Sequence, residues 1–323
     1  MLELASQFPS TTAAHTTTLH SGLPVGVHGV YEWHILEPSL NRVITPLMFS
    51  FAGDAERGTL APTGLSPDTV FPPETLHMRL TADGVRSVAV MPASFADSTT
   101  NRALLRGAET LPARGAPHAL GLACSALAHP PVYASVYLPT FDAIMHKVGP
   151  DAPAAHAELL SLLDAVDHAM LRVPHGTLVL IGTDHGMAPV SPERTSYVNV
   201  VWPELERHLR RGADGKPLAP AGSCRDLFLH VLPERVDDVV SELSERLADV
   251  ADVIDTRALV EEGAFGAELS DTFLARLAEV VVLPREGEAA WWLEPGRFEQ
   301  HFYGQHGGRS PDEVNIPLLA LVV

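Results

Sequence analysis

The chain has 323 residues, 46% of them hydrophobic, which is enough for one large domain or two smaller ones with a substantial core. Its formal net charge of -18 argues against a surface built to hold a nucleic-acid polymer, although a bound cation can still create a local phosphate site. The two cysteines, Cys124 and Cys224, stand far apart; free buried thiols in a reducing compartment fit better than a disulfide framework. No run approaches the ~20 apolar residues of a membrane helix. The segment MLELASQFPSTT has no basic region followed by an apolar run, so it is not a signal peptide. The sequence reads as soluble and cytoplasmic, with no membrane partner.

In chain order, Phe8–Pro24 comes first: Thr12 precedes a short segment that can turn helical and end at Gly22. Leu60–Pro73, rich in Pro, Thr and Gly, reads as a loop. Short β-branched or apolar runs at Arg86–Met91, Pro131–Tyr137, Thr177–Gly182, Ala251–Ile254, Glu279–Leu283 and Ile316–Val323 read as strands. Between them lies a helix over Ala154–Arg172, where Leu159, Leu163, Val166 and Met170 recur at helical spacing. This alternation predicts an α/β fold with a largely parallel central sheet. The polar cluster Arg210–Pro217 is a turn, followed by a strand at Asp226–Leu232 and an amphipathic helix at Glu234–Leu247. Residues 202–295 are therefore read as an insertion or cap, and 1–201 with 296–323 as the core.

Four segments can carry chemistry. TLVLIGTDHGM ends an apolar run in Asp184-His185-Gly186, and ligand sites in open α/β sheets lie beyond the carboxyl ends of strands. The bland alternative is a plain turn with local hydrogen bonds. In VYASVYLPTFDAIMH, Asp142 and His146 are four residues apart; a helix after Pro139 puts both on one face, where they can share a cation. The alternative there is an Asp favoured by the helix dipole, with an incidental His. His306 sits among glycines in FYGQHGG, where a surface turn is the plain reading. A hydroxyl at the Thr12 helix start would meet backbone N–H groups, a good place for a phosphate. A simple N-cap is the alternative.

Together, in this order, the segments resemble the type I phosphodiesterase/nucleotide pyrophosphatase family of the alkaline phosphatase superfamily. The family's Phe-Pro-Ser/Thr-x-Thr, Asp-x-x-x-His, Asp-His-Gly and Gly-x-His-Gly patterns all occur. The resemblance runs from about Phe8 to the C-terminus and is weakest across Trp202–Pro295. It implies an alkaline-phosphatase-like fold that hydrolyses a small phosphorylated substrate. Thr12 would be the nucleophile and Asp142, His146 and His306 the ligands of one metal. Asp184 and His185 would ligate a second, which also meets the Thr12 oxygen. Two divalent ions, zinc or else manganese, are expected, and a phosphothreonine is the implied intermediate.

The sequence departs from the pattern twice. The family has another metal-binding Asp at the end of a first strand ahead of the nucleophile. Met1–Thr11 holds no Asp, and Glu3 is not preceded by a strand pattern. The expectation is a chain that starts after the first strand, and the second functional reading is an inactive relative that binds a phosphorylated ligand. The family's phosphate-contacting Asn is also missing from His28–His34, which weakens the case for nucleotides. Sulfatases need a Cys-x-Pro-x-Arg motif that neither cysteine provides. Ser10 and Ser21 fit the nucleophile spacing of the Ser-dependent relatives less well than Thr12 fits its own motif.

Overall fold

The computed structural model describes residues 1–323 as a mixed α/β fold in which the strands expected from the sequence are found within a residue or two of their predicted limits, except that the strand expected at Asp226–Leu232 ends at Leu229. One sheet is parallel, in the order Glu109–Ala113, Arg86–Pro92, Val132–Val136. Val88 and Val90, at its centre, are fully buried against the helix Ala116–Leu127, which the sequence reading did not find. A second sheet is antiparallel, in the order Leu2–Ala5, Asn315–Val322, Leu178–Gly182. The helices Thr140–Val148 and Pro153–Met170 connect the last strand of the first sheet to Leu178–Gly182. The two sheets share no ladder: Val132–Val136 and Leu178–Gly182 each end their sheet without a further partner. Leu178 and Leu180 are 61% and 59% exposed on that edge.

The span 202–295 holds a four-stranded antiparallel sheet, ordered Ala221–Ser223, Asp226–Leu229, Val280–Pro284, Ala251–Asp255, with Val236–Arg246 packed on it. Its apolar face is continuous with the largest core of the molecule, where Val281 and Phe228 meet Phe8, Tyr31 and Phe273. Three local readings need correction. Leu2–Ala5 is a strand, an exposed edge held by pairing with Asn315–Leu318 rather than by any apolar pattern of its own. Leu60–Pro73 contains a 3-10 turn at Ala61–Thr63 and a helical turn at Pro67–Val70, capped by the Ser66 side chain. Cys224 is buried and Cys124 only half-buried, both as free thiols. No helix is long and apolar enough to cross a membrane.

Candidate active site

The expected residues converge where chain ends meet. Thr12 is the first residue of the helix Thr12–Ser21, which Gly22 closes in the left-handed conformation at φ 75°. Asp184 and His185 follow the strand Leu178–Gly182 directly. Asp142 lies in the first turn of Thr140–Val148 and His146 one turn later, as the spacing predicts. His306 follows the short strand Gly304–Gln305, which pairs with Ala188–Pro189 beyond the Asp-His-Gly turn.

The Thr12 Oγ1 atom is 2.9 Å from His185 Nε2. The His185 and His306 rings stack with centroids 3.6 Å apart, and the His146 ring centroid is 5.1 Å from that of His306. Donor atoms of Asp142, His146 and His306 all lie within 4.8 Å of one another. The Asp142 oxygens stand 3.5 Å from His146 Nε2 and 3.9 Å from His306 Nε2, long for hydrogen bonds but suitable for ligands of a common ion. Asp184 Oδ2 is 3.5 Å from His185 Nε2.

The backbone sets the ring tautomers. Nδ1 of His146 faces the Gly304 carbonyl at 2.8 Å, that of His185 faces Gly186 O at 2.8 Å, and that of His306 faces Ser10 O at 3.0 Å. A carbonyl only accepts, so each Nδ1 carries the hydrogen and each Nε2 presents a lone pair to the centre. Burial, together with His185 and His146, holds His306 well below the usual imidazole range, so it is a neutral donor. Burial pushes the Asp142 carboxyl up, and its Oδ1 is buried with no hydrogen-bond partner. A cation would satisfy that orphaned oxygen, so the residues present fit a metal.

Several supporting residues were not foreseen. Tyr137, just past Val132–Val136, points its hydroxyl toward Thr12, and burial raises its pKa, with Asp184 and Asp142 adding to the effect. His15 joins the Thr11–Thr12 segment to the Asp184 turn. Its Nδ1 donates to Thr11 O at 2.7 Å, while Ser6 Oγ lies 2.8 Å from both His15 Nε2 and Asp184 O. No short-range sequence signal marks either residue, because each acts through partners distant in the chain. The site opens into a cavity of about 590 Å³ that Thr12, Tyr137, Trp33 and Trp291 help to line.

Comparison with known proteins places the chain in a family. The family model for type I phosphodiesterase/nucleotide pyrophosphatase matches residues 2–308. No curated protein sequence matches the chain. Among solved structures, murine ectonucleotide pyrophosphatase/phosphodiesterase 5 is similar at a TM-score of 0.67 and 16% identity, covering 98% of this chain and 78% of that one. An inactive form of that protein, solved with AMP, matches equally well. Phosphonoacetate hydrolase from Sinorhizobium meliloti, in complex with phosphonoformate, is similar at a TM-score of 0.65 and 14% identity, covering 98% and 80% of the two chains. These likenesses establish the alkaline-phosphatase-like fold, and the family match over nearly the whole chain establishes the rest: the protein belongs to the type I phosphodiesterase/nucleotide pyrophosphatase family of phosphoric ester hydrolases.

Proposed function

We propose that the chain hydrolyses small phosphoesters through Thr12 with the help of two divalent cations, zinc or manganese. Asp142, His146 and His306 would hold one ion, and Asp184 with His185 the other. The observation that carries this reading is the convergence of three Nε2 lone pairs, each fixed by a main-chain carbonyl, on the Asp142 carboxylate and the Thr12 hydroxyl. When bound, the ions would lower the pKa of the Thr12 hydroxyl and offset charge on the phosphoryl oxygens.

The chain's own residues supply the rest. The N–H groups at the start of Thr12–Ser21 face the phosphoryl oxygens, at the positive end of the helix dipole. Thr12 Oγ1 forms a bond to phosphorus as the bond to the leaving alcohol breaks, and water later cleaves the phosphothreonine. Residues 202–295, read as the cap, contribute Gly222, Ser223, Cys224 and Trp291 to the cavity wall. The AMP and phosphonoformate seen in the structurally similar proteins suggest the size of the substrate.

One observation favours the second reading, a relative that binds a phosphorylated ligand without turnover. Donor atoms of Asp142, His146 and His306 cluster as a set of three, whereas Asp184 and His185 belong to no such set. Metal analysis joined to an assay separates the two. Chelation should abolish hydrolysis of an aryl phosphodiester, and zinc or manganese should restore it. Turnover by protein free of transition metal would refute the metal-dependent mechanism. A chain that holds fewer than two ions and shows no turnover is the non-catalytic relative.

A further inference from the structure

Behind the His306 loop lies a pair of acids that the mechanism does not use. Glu32 follows Tyr31 in a turn, and Asp226 opens the strand Asp226–Leu229; both are 0% exposed. Glu32 Oε2 accepts the Trp33 N–H, but Oε1 has no hydrogen-bond partner. Asp226 Oδ1 accepts from Ser223 N–H at 3.1 Å and Ser223 Oγ at 2.6 Å, but Oδ2 has no partner. The oxygens meet over Gly307. A Cβ built on that residue would lie 2.7 Å from Asp226 Oδ1, 2.7 Å from Ser223 Oγ and 3.1 Å from Glu32 Oε1. No cationic side chain pairs with either acid, because the nearby Arg225 guanidinium is spent on a bidentate pair with Glu313.

Two buried carboxylates without a counter-charge do not coexist stably as anions. A proton shared between the two acids would still leave one negative charge buried with no cationic partner, since the Thr11 hydroxyl beside Glu32 is neutral and Arg225 is paired with Glu313. A positive ion beside the two carboxylates would supply that counter-charge. The donors are all oxygen, from two carboxylates and a hydroxyl, a set that suits a hard dication rather than zinc. Glu32, Gly222 and Ser223 border the cavity, which gives an ion and its water ligands a way in.

We propose that Glu32, Asp226 and Ser223 form a binding site for a hard divalent cation of the magnesium or calcium type, bracing the Gly307 backbone behind the active centre. The site ties the Thr11–Thr12 loop to the His306 loop, since Ser10 N–H donates to Gly307 O at 3.4 Å and Ser223 Oγ also reaches His306 O at 3.1 Å.

The test uses the zinc-loaded full chain titrated with magnesium chloride and, separately, calcium chloride. The expected result is one saturable site per chain by calorimetry with at least one of the two ions, and a melting temperature that rises with that ion. Glu32→Gln and Asp226→Asn should each weaken that binding at least tenfold, with zinc content and circular dichroism unchanged. If a variant fails to fold, the wild-type titration and the other variant still decide. No saturable binding of either ion to the wild type overturns the proposal, and so does binding that both variants retain.

Discussion

At the scale of single residues, three main-chain carbonyls decide the chemistry by fixing which nitrogen of each ring is free. Histidines elsewhere in the chain show what happens without such support. His230 is buried, and neither of its ring nitrogens has a hydrogen-bond partner; Glu279 lies 3.9 Å away, too far to serve. Burial pushes its pKa down to about 3, and burial holds His28 at about the same value although Thr18 Oγ1 and the Val30 N–H meet its ring nitrogens. Each folded value lies below the unfolded one, so the unfolded chain takes up protons first. The stability that these neutral rings contribute is complete above about pH 6.5 and is lost as pH falls toward about 3. His230→Leu removes an unsatisfied polar group and should stabilise the fold by roughly 1 kcal/mol at neutral pH. The gap over the wild type should widen as pH falls to 5. A melting temperature that drops in the variant, or follows the wild-type slope with pH, would count against this.

At the scale of elements, the site is a set of loops braced from behind. The Arg225–Glu313 pair is fully buried, with contacts of 3.0 and 2.9 Å, and Glu313 Oε1 accepts the Gly308 N–H at 2.9 Å. Gly186 lies so close to the Asp312 carbonyl that a Cβ there would approach it to 2.0 Å, which fixes the His185 turn against the short helix Pro311–Val314 that carries Glu313. Arg225→Met strands the Glu313 carboxylate in the interior and should cost about 3–5 kcal/mol. The double change Arg225→Met with Glu313→Leu should recover much of that loss. Denaturant midpoints measure both, and a single variant within about 1 kcal/mol of wild type would contradict the bracing role.

These braces also show what a sequence can reveal. Asp142 and His146 were legible because four residues make one helical turn, and Asp184-His185 because an apolar run ended there. Thr12 and His306 became legible only through the order of all the motifs. Glu32, Asp226, His15 and Tyr137 were not legible, since each gains its meaning from a residue far along the chain. The helix Ala116–Leu127 was missed because its apolar side is built mostly of alanines, a shallow signal against periodicity. Leu2–Ala5 was missed because an edge strand takes its structure from its neighbour.

At the scale of the whole molecule, the strand–helix alternation gave the α/β class, but not the division of the strands into a parallel and an antiparallel sheet. The edges Val132–Val136 and Leu178–Gly182 both end at the active site, one leading to Tyr137 and the other to Asp184. Leu178 and Leu180 on the second of these edges, with Leu160 at 64% and Leu163 at 47% exposure on the helix Pro153–Met170, are apolar side chains open to solvent. Such an edge promotes self-association. Light scattering of the chain should show concentration-dependent oligomers, and Leu180→Lys should suppress them while the thermal transition persists. A monodisperse wild type across the micromolar range would argue against a free apolar edge.

The central claim is that Thr12 carries the phosphoryl group. The most direct measurement is acid quenching of the zinc-loaded protein during turnover of an aryl phosphodiester, followed by mass spectrometry of its peptides. The account predicts a Thr12 peptide carrying the phosphoryl group with the substrate's remaining ester substituent, the aryl alcohol having left, and no adduct in Thr12→Ala, whose turnover should fall by at least about 10³-fold. A Thr12→Ala protein that turns over at the wild-type rate, or a phosphoryl group trapped on another residue, would contradict it.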